Sequence, residues 1–218
     1  MSILDIRRVI DREIFDYQAL LDALKGYAHP RDKITDLIRK KLIIRIKKGL
    51  YIFGDDYRRH LYSRELLANL IYGPSYISLE YALHYHGLTP ERVESLTSVT
   101  TGRSRRFLTP VGLFTYRIIP PRAYQLGMTR VEAGNEQSFL IAGPDKALAD
   151  KIVADRGIAI RTQTILYEYL VHDLRIDPVV LTEMDPKRIA EFAEKYRSRK
   201  LQMFRGLINR LRRTRKEN

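Results

Sequence analysis

The residues whose types come nearest to a catalytic signature are Asp145, Asp150 and Lys151, which follow Gly143-Pro144. Nucleases with a Pro-Asp…Asp-x-Lys arrangement hold Mg²⁺ with two carboxylates and orient water with a lysine. The spacing here argues against that chemistry. Residues 145–153 read as a helix, on which positions 145 and 150 lie about 140° apart, so the two carboxylates do not converge on one ion. Asp145 is better read as an acidic residue complementing the positive end of the helix dipole. Glu80 and His84 share a helix face at i and i+4, whereas His84 and His86 do not. With no third ligand in view, a helix-surface pair or a C-terminal cap is the expectation. The chain contains no cysteine, which removes thiolate catalysis, disulfides and Cys-based zinc sites together. It has no Gly-rich phosphate loop and no recognisable Ser-His-Asp order. We therefore expect no catalytic residue, no metal site and no cofactor.

Charge points elsewhere. The 218 residues carry a formal net charge of +13, which favours polyanionic partners such as nucleic acid. The hydrophobic share, 44%, is that of a globular protein. No apolar run approaches the roughly 18 residues of a spanning helix, and the N-terminus lacks the basic-then-apolar order of a signal peptide. A cytoplasmic chain with no membrane partner is the expectation.

The basic residues that matter need elements to position them. Ile3, Ile6, Val9 and Ile10 recur at helical spacing. A second helix is expected over 16–23, capped by Asp16 and ended by Gly26. Pro30 suits the first turn of a third helix, with Ile34, Leu37, Ile38 and Leu42 inward. Residues 43–53 then alternate around a Lys47-Lys48-Gly49 turn as a hairpin. Helix, short turn, charged helix and basic hairpin are the parts of a winged helix-turn-helix, whose second helix enters the major groove. Between positions 31 and 48, eight basic residues oppose only Asp32 and Asp36. The candidate DNA-binding residues are Arg31, Lys33, Asp36, Arg39, Lys40, Arg45, Lys47 and Lys48, with both hairpin lysines on phosphates. Asp36 must meet a base-edge donor, hold an arginine, or lie off the phosphates.

Residues 54–59 break the pattern, so the domain boundary is placed there: 1–54 for the DNA-binding domain and 58–218 for the remainder. Helices are expected over 62–71, over Leu79–Tyr85 behind Ser78, and after a Thr89-Pro90-Glu91 cap. Strands follow at 96–101 and 114–119, separated by a basic loop whose Arg103, Arg105 and Arg106 are candidate contacts for a partner or nucleic acid. A strand at Ser138–Ala142 leads into the 145–153 helix, then helices over 163–173, Pro186–Tyr196 and the C-terminus. The expected fold class is α+β: an N-terminal winged helix-turn-helix, then a mixed α/β domain ending in helices.

Several segments in this order resemble the AbiEi family: Lys48-Gly49-Leu50-Tyr51, residues 76–88 (Tyr-Ile-Ser-Leu-Glu-Tyr-Ala-Leu-His-Tyr-His-Gly-Leu), residues 97–101, and residues 143–150 (Gly-Pro-Asp-Lys-Ala-Leu-Ala-Asp). Tyr85-His86 places one residue more before Gly87-Leu88 than the family pattern has. The family comprises antitoxins of type IV toxin-antitoxin systems linked to abortive infection of phage. The resemblance implies a repressor acting on inverted repeats in its own promoter, and a C-terminal domain that counters a nucleotidyltransferase-like toxin, with or without touching it. The alternatives are an enzyme, a nuclease or nucleotidyltransferase fused to a winged helix, and a winged-helix interaction protein that never reads DNA.

Overall fold

The computed structural model describes residues 2–217, and the side chains of residues 2–215. The chain is α+β. Its first part runs α1 (Ile3–Val9), β1 (Ile14–Asp16), α2 (Tyr17–Ala23), α3 (Pro30–Arg39), β2 (Ile43–Lys47) and β3 (Leu50–Phe53). Local chemistry sets these bounds. Asp16 accepts the Ala19 amide at 2.8 Å to start α2, and Pro30 opens α3 where its missing N–H costs nothing. Gly49 turns the hairpin at φ 86°, a conformation glycine adopts without a Cβ clash. Gly26 does not end α2 in the expected way: the helix closes at Leu24, and Gly26 has no positive φ.

The three strands form one antiparallel sheet in the order β1-β3-β2. The short β1, unforeseen in the sequence, also serves as the cap of α2. Strand alternation gives the sheet two apolar faces. Phe15, Ile43, Tyr51 and Phe53 join Ile3, Ile6, Leu20, Leu24, Ile34 and Leu37 in one core with the three helices. Ile14, Ile46, Leu50 and Ile52 face the other way and belong to the large core of the C-terminal part, with Leu67, Ala68 and Ile71. Each such side chain contributes about 1.5–3 kcal/mol when buried.

Gly54 therefore does not begin a free linker. It is buried, its N–H donates to Leu42 O at 2.9 Å, and a Cβ there would lie 2.1 Å from Lys41 O. A turn of 3₁₀ helix follows at Asp55–Tyr57. The Arg59 and His60 amides then donate to the Glu13 carboxylate at 3.1 and 3.0 Å. Glu13 is itself buried against the guanidinium of Arg7.

The C-terminal part is built on a mixed six-stranded sheet in the order β6-β7-β5-β4-β9-β8. Its elements, in chain order, are α4 (Arg64–Ile71), β4 (Ser75–Ile77), α5 (Leu79–Tyr85), β5 (Leu96–Thr100), β6 (Arg105–Thr109), β7 (Gly112–Ile118), α6 (Pro121–Tyr124), β8 (Met128–Glu132), β9 (Ser138–Ala142) and α7 (Pro144–Ala154). Then come α8 (Gln163–Glu168), continued by a π-helical turn at Tyr169–Asp173, α9 (Pro178–Glu183), α10 (Pro186–Tyr196) and α11 (Arg199–Glu217). The pairs β4/β9 and β5/β7 are parallel, and the other neighbours are antiparallel. Helix α4 packs on β4, β5 and β9; α5 packs on β5, and α7 on β9. The helices from α8 onward gather around α7 and α11.

Two expectations for this part change. The Thr89-Pro90-Glu91 cap starts no helix; residues 89–94 are irregular. Arg105 and Arg106 lie on a strand rather than in a loop, because β6 pairs with β7. Strands β4 and β8 and helices α6 and α9 are additional elements.

Candidate nucleic-acid interface

The outward side of α3 and the hairpin carries the expected basic residues. Ile34 and Leu37 hold α3 against the first core, which leaves Arg31, Thr35 and Arg39 on one exposed stripe at i, i+4 and i+8. Lys40, Lys41, Arg45 and Lys48 are also exposed, and Lys33 is half-buried with its ammonium 5.5 Å from the centre of the Tyr27 ring. Asp36 settles its ambiguity internally: it accepts Arg39 at 2.7 Å and Lys40 at 2.8 Å. These hydrogen bonds, that of Lys40 first and that of Arg39 next, hold the Asp36 carboxyl below the usual carboxylate range. Arg39 is thereby preoriented, and part of its charge is neutralised.

Lys47 departs from the expectation that both hairpin lysines present themselves together. It pairs with Leu50 across the hairpin, on the side that meets the C-terminal part, with an irregularity in register between Arg45 and Lys47. Its ammonium donates to Ile71 O, at the end of α4, at 2.7 Å. Burial pushes its pKa down. Lys47 thus ties the hairpin to α4, and Lys48 alone is left at the exposed turn.

A second basic surface lies on the open end of the large sheet. Thr97 on β5, Thr115 on β7 and Arg106 on β6 stand side by side in one rung of the sheet. Arg117 is two residues further along β7, and so points to the same face. With Ser104, Arg105, Leu79 and Glu80 they line a groove of about 790 Å³. Leu79, the first residue of α5, has φ 60°, an uncommon conformation for a branched side chain. Arg103 is exposed but outside this groove, its amide donating to Tyr72 Oη at 3.1 Å. Of the two arginines singled out in the sequence, Arg105 is opposite Tyr116 and points to the other face, whereas Arg106 comes together with Arg117, which sequence reasoning misses. Its signal was available only as alternation along a strand with an unknown neighbour.

Both carboxylates of the Asp145 and Asp150 motif are held by partners within the fold. Asp145 pairs with Arg188 at 3.2 Å. Burial raises its pKa, opposed by that arginine. Asp150 is wholly buried and accepts Lys146 at 2.8 Å, Ser78 at 2.6 Å, Tyr76 at 3.1 Å and the Tyr196 hydroxyl. Lys146 is equally buried and also meets Tyr196 Oη at 2.6 Å. Burial pushes the lysine pKa down and the Tyr76 and Tyr196 pKa values well above the ordinary tyrosine value. This cluster joins β4, α7 and α10 through the core. Ser78, expected to cap α5, instead gives its hydroxyl to Asp150. Lys151 bridges Glu80 and Asp155 at 2.8 and 3.0 Å. His84 is exposed, while His86 Nε2 meets Ala142 O at 2.7 Å. Among the described residues, no group of three His, Asp or Glu side chains is placed to hold a metal ion. Among them too, no helix is long and apolar enough to cross a membrane.

No protein-family model matches the chain, and no curated protein matches it.

Proposed function

We propose that the chain is a DNA-binding transcriptional regulator, with residues up to Gly54 acting as a winged helix-turn-helix. The carrying observation is the set of exposed basic residues on α3, with Arg31 and Arg39 on one stripe, followed by exposed Arg45 and Lys48 on the hairpin. The element order α1-β1-α2-α3-β2-β3 with strand order β1-β3-β2 supports the same reading. In it, α3 enters the major groove, Arg39 (aligned by Asp36) addresses a base edge, and Arg31, Arg45 and Lys48 take phosphates. Residues 58–218 are then the effector part. On the resemblance of residues 48–51, 76–88, 97–101 and 143–150 to AbiEi proteins, we assign them the role of a type IV antitoxin countering a nucleotidyltransferase-like toxin. We read the chain as a non-enzyme acting in the cytoplasm. The support is that both carboxylates of the only nuclease-like motif are committed, Asp145 to Arg188 and Asp150 to four donors.

The test is fluorescence anisotropy of the full-length protein on DNA from upstream of its own gene and on scrambled DNA, over a series of salt concentrations. The expected result is tighter binding to the upstream DNA, weakening steeply with salt, and loss of binding in Arg45→Glu with Lys48→Glu. Equal, salt-insensitive binding of both DNAs, or full binding by the charge-reversed variant, rejects the reading. For the antitoxin role, co-expression with the product of the adjacent gene must show growth rescue by the wild-type chain.

A further inference from the structure

We propose that the groove on the open end of the large sheet is a binding site for the phosphate groups of a nucleotide, separate from the α3 surface. The inference rests on unspent charge. Arg105, Arg106 and Arg117 all line the groove, and none has an ion-pair partner or a side-chain hydrogen bond among the described residues. The one carboxylate in the lining, Glu80, is taken by Lys151 at 2.8 Å. Arg105 is the register partner of Tyr116 and turns its side chain to the other face, so two guanidiniums, those of Arg106 and Arg117, share the concavity; they repel one another, and an anionic ligand relieves that repulsion. Their planar forks match phosphate oxygens in pairs.

The floor adds neutral donors. Thr115 makes no side-chain hydrogen bond within the protein among the described residues, and so has its hydroxyl free. Ser104 Oγ accepts the Ile118 amide at 3.0 Å, which leaves its own proton to donate outward. Thr97, by contrast, is spent on Ser78 O and the Tyr81 amide, and only shapes the floor. Arg106 and Arg117 lie one strand and two residues apart on one face, so their Cα atoms are about 8 Å apart, a span that two guanidiniums bridge across adjacent phosphates. The volume, about 790 Å³, is that of a site for one small ligand rather than a track for a strand. The only aromatic residue in the lining, Tyr116, is buried and turned to the opposite face, where its hydroxyl donates to Ala68 O at 2.7 Å. Nothing stacks a base, so recognition is of the phosphates and is indifferent to the base.

The experiment is calorimetric titration of the full-length protein with ATP, GTP, AMP, inorganic tripolyphosphate, sulfate and a ten-nucleotide oligothymidine. ATP, GTP and tripolyphosphate are expected to bind once per chain with similar affinity, and AMP and sulfate at least about tenfold more weakly. Arg106→Ala with Arg117→Ala is expected to reduce triphosphate affinity at least about tenfold while leaving promoter binding intact, and Arg45→Ala with Lys48→Ala to do the reverse. The first pair is exposed, so the fold should survive; unchanged circular dichroism and melting establish that before titration. Absence of triphosphate binding at millimolar concentration overturns the proposal. So does binding unaltered in the groove variant, or binding of the oligothymidine alone. None of these outcomes touches the assignment of α3, which stands or falls on the promoter experiment.

Discussion

Lys47 and Lys48 are neighbours of the same charge, and the structure gives them different work. Lys48 is exposed at the hairpin turn, whereas Lys47 donates to Ile71 O at 2.7 Å from a half-buried position. If the hairpin contacts DNA, Lys48→Ala removes one phosphate neutralisation, worth about 0.9 in the slope of log affinity against log salt. Between about 50 and 200 mM salt, a fourfold change, the ratio of wild-type to variant affinity then shrinks about 3.5-fold. Lys47→Ala removes no phosphate contact and leaves the slope unchanged. It breaks a hydrogen bond from a charged donor to a carbonyl, costing about 1–2 kcal/mol of stability once partial solvent screening is allowed for. In a chain of this size that is a drop in melting temperature of about 2–8 °C. Anisotropy titrations at four salt concentrations, with thermal melts of the same samples, read both effects. A slope flattened equally by the two variants refutes the separation of roles. A slope untouched by Lys48→Ala removes the hairpin turn from the interface.

Further predictions concern the core and α3. Asp150→Ala strands the buried Lys146 ammonium and three hydroxyl donors, and should cost about 3–5 kcal/mol by urea unfolding. Lys146→Met leaves Asp150 its Ser78, Tyr76 and Tyr196 donors and should cost less; the opposite order means that the lysine, not the carboxylate, organises the cluster. Burial raises the pKa values of Tyr76, Tyr116, Tyr169 and Tyr196 above the ordinary value. Below about pH 10 folded and unfolded chains both keep these protons, and above it only the folded chain does, so stability should fall with rising pH by roughly 1.4 kcal/mol per pH unit for each tyrosine. Lys146, whose charged form burial disfavours, acts in the opposite sense only up to about pH 10.5; a flat stability profile between pH 9 and 11.5, from urea unfolding at each pH, contradicts the burial of these groups. Asp36→Ala releases Arg39 and Lys40 from their shared carboxylate and should tighten binding to scrambled DNA while narrowing the preference for the cognate site, read by the same anisotropy assay.

Local signals carried much of this molecule. The cap at Asp16, proline at the first turn of α3 and α10, and the Lys-Lys-Gly hairpin appear in the structure where residue type and spacing put them. Charge placement along 31–48 likewise follows from sequence, because an amphipathic helix pinned by Ile34 and Leu37 can expose only its other side. What sequence could not supply was pairing between distant segments. From sequence alone the start of β6 reads as a loop, because Arg105-Arg106 lacks strand character until β7 pairs with it. Arg117 entered a site only when parallel pairing with β5 set the face to which it points. The same holds for Lys47, whose partner is 24 residues away, and for Asp150, whose donors Ser78 and Tyr196 lie 72 and 46 residues from it. Composition and spacing report which groups are present and on which side of a helix or strand they stand. Which charges remain free for a ligand depends on which of them the tertiary fold has already paired, and that is set by contacts no local pattern encodes.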